Sequence, residues 1–360
     1  MTSQAGSTPA GSPGEGSFLP HDSEGMLAAT AAMGDHLAAA LDQRELPRPA
    51  GAPSVVVVLG MGGSAVAGSI LAAFAAPRSH LPVVVSSGYR CPVAAGSSAL
   101  VFAVSFSGET EETLAAAEQA VRQGARLVVL TGGGPLAELA AAHGGDVMTI
   151  PPGIPQPRAG VAAMAAPLLL AAEQLGVVGG ARRELELAHE QLARRLPGIV
   201  AGGGLAAEVA RRIGRTIPLV HGESGLGAVA ARRWKTQVNE NAKAPAFTAE
   251  QPEVCHNEVC GFGQHGDVTR QLLTVVELRL PGEHPGVARR FELVAEAVGE
   301  AVADVVRVRG EGDGELAAFF DLVALGDVVS LHLAAHEGID PGPVPVLAEL
   351  KAKMRAGASA

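Results

Sequence analysis

Aromatic side chains are nearly missing from this chain: nine Phe, one Tyr and one Trp make up 3% of its 360 residues. Stacking platforms for single-stranded nucleic acid are built from such rings, which argues against that role. Basic residues are also in deficit, 27 Lys and Arg against 37 Asp and Glu, and the net charge of −10 repels a phosphate backbone. Cysteine is scarce and odd in number, three in all. That excludes a secreted disulfide framework. No Lys or Arg precedes Arg44, so the basic n-region of a signal peptide is not expected. Mean hydropathy is high, +0.25. Yet the longest uncharged apolar run, residues 161–172, falls short of the ~18–20 residues that span a bilayer. A cytoplasmic protein with neither nucleic-acid nor membrane partners is expected.

What is present has the texture of a globular α/β chain. Apolar residues make up 48%, and the length fits two domains, each able to bury a core. Residues 1–20 hold Ser, Gly, Pro and Thr with little to bury, and are expected to form a disordered tail. Over residues 21–50, Met26, Ala29, Met33, Leu37 and Leu41 recur at helical spacing and predict a lead-in helix. A first domain is expected over 51–172, with strands at 55–59, 83–86, 100–105 and 127–131. Helices follow them to about residue 76, over 109–123 and over 136–143. Strand alternating with helix means a parallel, doubly wound sheet. A charged helical bridge is expected over 173–200. A second α/β domain over 201–360 repeats the pattern, with strands at 217–221, 271–280 and 301–307 and a final pair of helices.

Two turns carry chemistry. The first, Gly60-Met61-Gly62-Gly63-Ser64-Ala65, joins the first strand to its helix. Glycines there let backbone N–H groups approach an anion at the helix N-terminus. A dinucleotide fold would place a carboxylate at the end of the second strand to hold the ribose. That strand ends Val85-Ser86-Ser87-Gly88, without one. The second turn, Ser105-Phe106-Ser107-Gly108-Glu109-Thr110, follows the third strand. Hydroxyls of Ser105, Ser107 and Thr110 around a glycine predict a neutral phosphate cradle. A capping box is the simpler alternative, and it accounts for one hydroxyl rather than three.

These two turns, 45 residues apart, resemble the sugar isomerase (SIS) domain. The chain is similar, more narrowly, to the bifunctional phosphoglucose/phosphomannose isomerases, built of two tandem SIS domains. The resemblance extends through Pro157-Arg158-Ala159, the stretch from Arg233 to Lys243, His256-Asn257-Glu258 and Leu350-Lys351. It implies an aldose–ketose isomerase that interconverts glucose 6-phosphate and/or mannose 6-phosphate with fructose 6-phosphate through a cis-enediolate. By the same resemblance Glu240 is the base and Arg158 stabilises the enediolate. His256, supplied across a homodimer interface, opens the sugar ring with help from Lys351. Gly62, Gly63, Ser64, Ser105, Ser107 and Thr110 hold the phosphorylated hexose. No cofactor and no metal are implied. The alternative is a sugar-phosphate-binding SIS protein without catalysis.

The residue types suit these roles. Isomerisation needs a carboxylate beside a carbon acid and a fixed cation where enediolate charge develops. Glu240 ends a predicted helix among Asn239, Asn241 and Lys243, and Arg158 lies in a Pro-stiffened loop. A histidine such as His256 donates and accepts protons near neutral pH. Zinc held by Cys255, His256 and Cys260 is a competing possibility, although Cys-x4-Cys lies at the edge of zinc spacing. Two departures stand out: Gly342 replaces the family's threonine after Asp340-Pro341, and Ser69 replaces an aspartate. Glycine at 342 is expected to add space around the sugar.

Overall fold

Val55–Leu59 forms β1, five apolar residues buried on both faces, as a central strand of a parallel sheet must be. The computed structural model describes residues 17–43, 52–94 and 96–357. Before β1 come two short helices, α1 (Met26–Ala31) and α2 (Met33–Leu41), in place of one long lead-in helix. After it follow α3 (Gly62–Ala75), β2 (Val83–Ser86), β3 (Ala99–Ser105), α4 (Glu111–Arg122), β4 (Arg126–Thr131), α5 (Gly134–Ala142) and β5 (Asp146–Thr149). The five strands are all parallel, in the order β2-β1-β3-β4-β5.

Three helices lead into the second half: α6 (Val161–Gln174), α7 (Ala181–Ile199) and α8 (Gly204–Ile213). Then come β6 (Ile217–Glu223), α9 (Leu226–Asn241), β7 (Phe247–Gln251), α10 (Gly266–Leu272), β8 (Leu273–Arg279), α11 (Pro285–Val298) and β9 (Asp304–Arg309). Their sheet is also wholly parallel, ordered β7-β6-β8-β9. Two helices close the described chain, α12 (Glu315–His336) and α13 (Pro345–Gly357). Both halves are therefore α/β with parallel sheets. One continuous apolar core joins them, running from Met33 through α3, α6, α7 and α9 to Leu333.

Four expectations are revised. Leu19 is fully buried against Met26, Ala159 and Leu331, and the Phe18 ring stacks on His332 at 3.8 Å, so the segment expected as tail is packed from Phe18 onward. Residues 1–16 of that tail and 44–50 of the lead-in lie outside the described residues. The strand expected from 271 starts at Leu273, because α10 runs through Leu272. Edge strands β5 and β7 were not foreseen, since both are short and rich in polar residues. Finally, the most membrane-like segment is α12, not 161–172: its 18-residue window has mean hydropathy 1.7 and is entirely buried inside the protein. Asp321 and Asp327 interrupt it, which hides it from a search for uncharged runs.

Candidate active site

The two sequence-predicted turns meet at one sheet edge. Parallel pairing sets Leu59 of β1 beside Ala103 of β3, so both turns leave the same end of neighbouring strands. In the second turn Ser105 Oγ and Thr110 Oγ1 share a hydrogen bond of 2.9 Å. Ser105 Oγ accepts from Gly108 N at 3.1 Å, and Ser107 Oγ accepts from Glu109 N at 3.2 Å. Thr110 is the N-cap residue of α4 but makes no capping bond, so the capping-box alternative does not form there. Gly108 has φ of +73°, and a side chain there would run into the Gly133 carbonyl. Only glycine closes this turn.

The first turn is laid against the segment that carries the arginine. Gly63 packs on the Pro157 carbonyl, where a Cβ would come within 3.3 Å. Ser64 Oγ turns to Met164 Sδ at 3.5 Å, and Gly62 is exposed. Ser69, the other departure, donates to its own helix at Ala65 O, 3.0 Å away.

Pro157–Gly160 is a 3₁₀ turn, and it holds Arg158 almost fully buried. Its guanidinium is used on every side. Nε donates to Asn241 Oδ1 at 2.7 Å and Nη2 to the carbonyls of Pro341, at 2.6 Å, and Gly342. Nη1 donates to Gln156 Oε1 at 3.3 Å and faces Glu240 Oε2 at 3.5 Å. Burial pulls the Arg158 pKa below its ordinary value, an effect opposed by Glu240 and Glu24. Glu240 itself lies in the last turn of α9 with its side chain 33% exposed. A fixed cation thus stands beside a carboxylate that remains open on one side.

Neighbours fix this pair. Lys243, with φ of +55°, donates from Nζ to the Glu240 carbonyl at 2.7 Å and the Pro341 carbonyl at 3.1 Å. Burial, with Arg158 nearby, lowers its pKa from the usual ammonium range. Asn241 Nδ2 donates to Ser330 Oγ at 2.9 Å, tying the end of α9 to α12. Arg233 donates to the Arg158 carbonyl and is bound by Asp327. Gln156 and Asp327 were missed from sequence. Gln156 lies two residues before Arg158, which was its only signal.

The other two sequence-predicted catalytic residues make no hydrogen bond or ion pair with Arg158 or Glu240. His256 is exposed on the 3₁₀ turn Glu253–His256 that follows β7. Val254 anchors that turn in a small core, and Glu258 Oε1 meets the buried His221 Nε2 at 2.9 Å. Lys351 is exposed on α13. Neither side chain has a polar partner in the chain among the described residues. Cys255 Sγ turns to Gln251 Oε1 at 3.5 Å.

The chain is 35% identical over 303 residues to a bifunctional phosphoglucose/phosphomannose isomerase from Caldicellulosiruptor bescii, covering 83% of this chain and 89% of that one. It belongs to this isomerase family. A second member, from Aquifex aeolicus, is 33% identical over 301 residues, with 83% and 90% of the chains covered. Residues 53–153 match the SIS domain family, and residues 204–354 match the bacterial phospho-glucose isomerase C-terminal SIS domain. The fold also resembles the C-terminal domain of glucosamine-fructose-6-phosphate aminotransferase from Francisella tularensis, with a TM-score of 0.67 at 14% identity. That match covers 93% of this chain and all of the other. Membership makes the chain an isomerase built of two SIS domains.

Proposed function

We propose that this isomerase interconverts glucose 6-phosphate and mannose 6-phosphate with fructose 6-phosphate. The observation that carries the reading is the facing of Arg158 Nη1 and Glu240 Oε2 at 3.5 Å, with Arg158 on a segment whose Gly160 packs against Phe106 of the hydroxyl turn. Phosphate sits against Ser105, Ser107 and Thr110, with Gly62, Gly63 and Ser64 closing the other side. Glu240 takes the proton from C2 of the open-chain aldose and returns it to C1. Arg158 meets the negative charge that builds on the enediolate oxygens, from a buried and preorganised position. A planar enediolate retains no memory of the C2 configuration, so both epimers pass through it.

Ring opening needs a separate acid and base. His256, exposed on an anchored turn and without a hydrogen bond or ion pair to Glu240 in its own chain, suits delivery to the site of a second copy. Lys351 would assist from α13. The active species is then a homodimer. Hydroxyls, backbone dipoles and Arg158 supply the charge stabilisation, and no cofactor is drawn on. Three free thiols, Cys91, Cys255 and Cys260, support a cytoplasmic setting. The test is a coupled assay on all three hexose phosphates in the presence of EDTA. Interconversion of all three is expected; binding without turnover would return the chain to a sugar-phosphate sensor.

A further inference from the structure

Glu24 reaches the site from the segment just before α1. Asp22 fixes that segment by accepting from Met26 N at 2.6 Å and Leu27 N at 3.0 Å. Ser23 N donates to Asp340 Oδ1 at 3.4 Å, the same oxygen that accepts from Gly342 N at 3.0 Å. Glu24 is thereby laid across Gly342. A Cβ on residue 342 would lie 2.8 Å from both Cβ and Cγ of Glu24. The space expected from glycine at 342 is therefore already filled by the Glu24 stem.

The carboxylate continues inward. Glu24 Oε2 accepts from Gln156 Nε2 at 2.6 Å, and Gln156 Oε1 accepts from Arg158 Nη1 at 3.3 Å. Nη1 is also the nitrogen that faces Glu240. Glu24, Gln156, Arg158 and Glu240 thus form a single row of side chains.

We propose that Glu24 is a positioning residue for the isomerisation: by orienting Gln156 it holds Arg158 Nη1 back from Glu240 and leaves that carboxylate available as base. The proposal rests on Glu240 being the base. An amide has one acceptor end and one donor end. Glu24 takes the donor end, which obliges the acceptor end to face the guanidinium. Without Glu24 the amide is free to turn, and Nη1 can close on Glu240 to the ~2.8 Å of an ordinary ion pair. A carboxylate held that tightly is a weaker base. Glu24 acts on the cations Arg158 and Lys243, which also face the carboxylates of Glu240 and, at Lys243, Asp340, so Glu24 is one of three anions against two cations. Deleting Glu24 removes one negative charge from this cluster, which favours the ionised form of Glu240 and acts in the same direction.

The test compares Glu24→Ala, Glu24→Gln and Gln156→Leu with the wild type across pH. Glu24→Ala is expected to lower kcat by ~10- to 100-fold, the scale of a misplaced catalytic group, and to move the acid limb of the rate profile to lower pH. Gln156→Leu should reproduce this, and the double variant should add little. Glu24→Gln still accepts from Gln156 and should recover most of kcat. A Glu24→Ala protein with wild-type kcat and profile overturns the proposal. So does lost activity with an unmoved profile, which marks a purely structural role. The pair Gly342→Thr and Gly342→Thr with Glu24→Ala guards against misfolding: the single variant should lose stability, and removing the Glu24 stem should restore it. Stability unaffected by Gly342→Thr would refute the packing on which the proposal stands. Glu240→Gln is assayed alongside. If it is inactive and Glu24→Ala is normal, only the positioning role fails; if it is active, the base assignment fails as well.

Discussion

Arg233 grips Asp327 with two nitrogens, Nη2 at 2.7 Å and Nε at 3.0 Å, and both side chains are almost completely buried. The pair joins α9, whose last turn carries Glu240, to the central helix α12. Arg233 also donates to the Arg158 carbonyl. Removing one partner strands a charge in the interior, at a cost of ~3–5 kcal/mol. Asp327→Ala is thus expected to lower the unfolding free energy read from a urea titration by that amount, and Arg233→Ala by a similar one. The double variant should cost less than the two together, because neither charge is then left alone. Additive losses would show that the two residues stabilise the fold independently.

Glu240→Gln keeps the shape and hydrogen bonding of the side chain but cannot take a proton. Turnover should fall by at least ~10³, within the range for a general base, while substrate still binds. Isothermal titration and steady-state kinetics on the same sample separate the two. Retention of a tenth of wild-type kcat would remove Glu240 from the role.

If His256 serves a neighbouring subunit, two dead proteins should rescue each other. Glu240→Gln and His256→Ala, mixed through mild denaturant, form heterodimers with one intact site. Up to about half of a wild-type dimer's activity per heterodimer is expected from counting sites. Mass measurement confirms exchange; exchange without activity would place His256 elsewhere.

Stability should also depend on pH through His332. Burial, with His336 nearby, pulls its pKa down from 6.5 to about 4. The unfolded chain then binds a proton that the folded chain refuses between those values. Stability from this group is complete above about pH 6.5 and drains as pH falls toward 4, by at most about 3 kcal/mol. Below pH 4 no more is lost. Urea titrations across this window should show the slope, and His332→Leu should flatten it.

Much of the site is legible in the sequence because its motifs are local. The all-apolar β1 and the hydroxyls clustered at 105–110 announce a parallel sheet with a hydroxyl-rich turn at its edge. Arg158 and Glu240 are far apart in the chain, and composition alone would not pair them; the family resemblance did. What escaped was non-local or polar. β7 has four of its five residues at least partly exposed, so burial does not write a pattern into it. Glu24 follows a stretch poor in apolar residues and has no motif. Its role depends on the absence of a side chain at Gly342, more than 300 residues away.

During synthesis α12 is the last helix of the apolar core to leave the ribosome. Until it packs, its hydropathy of 1.7 over 18 residues makes it a candidate for any apparatus that inserts apolar helices into bilayers. Near the middle of a spanning helix each aspartate costs ~2.5–3.5 kcal/mol, so Asp321 and Asp327 together weigh against that route by roughly 5–7 kcal/mol. In the folded chain the same carboxylates meet Arg195 and Arg233. The same two carboxylates that are costly in a bilayer are thus the ones that bind α12 to its neighbours.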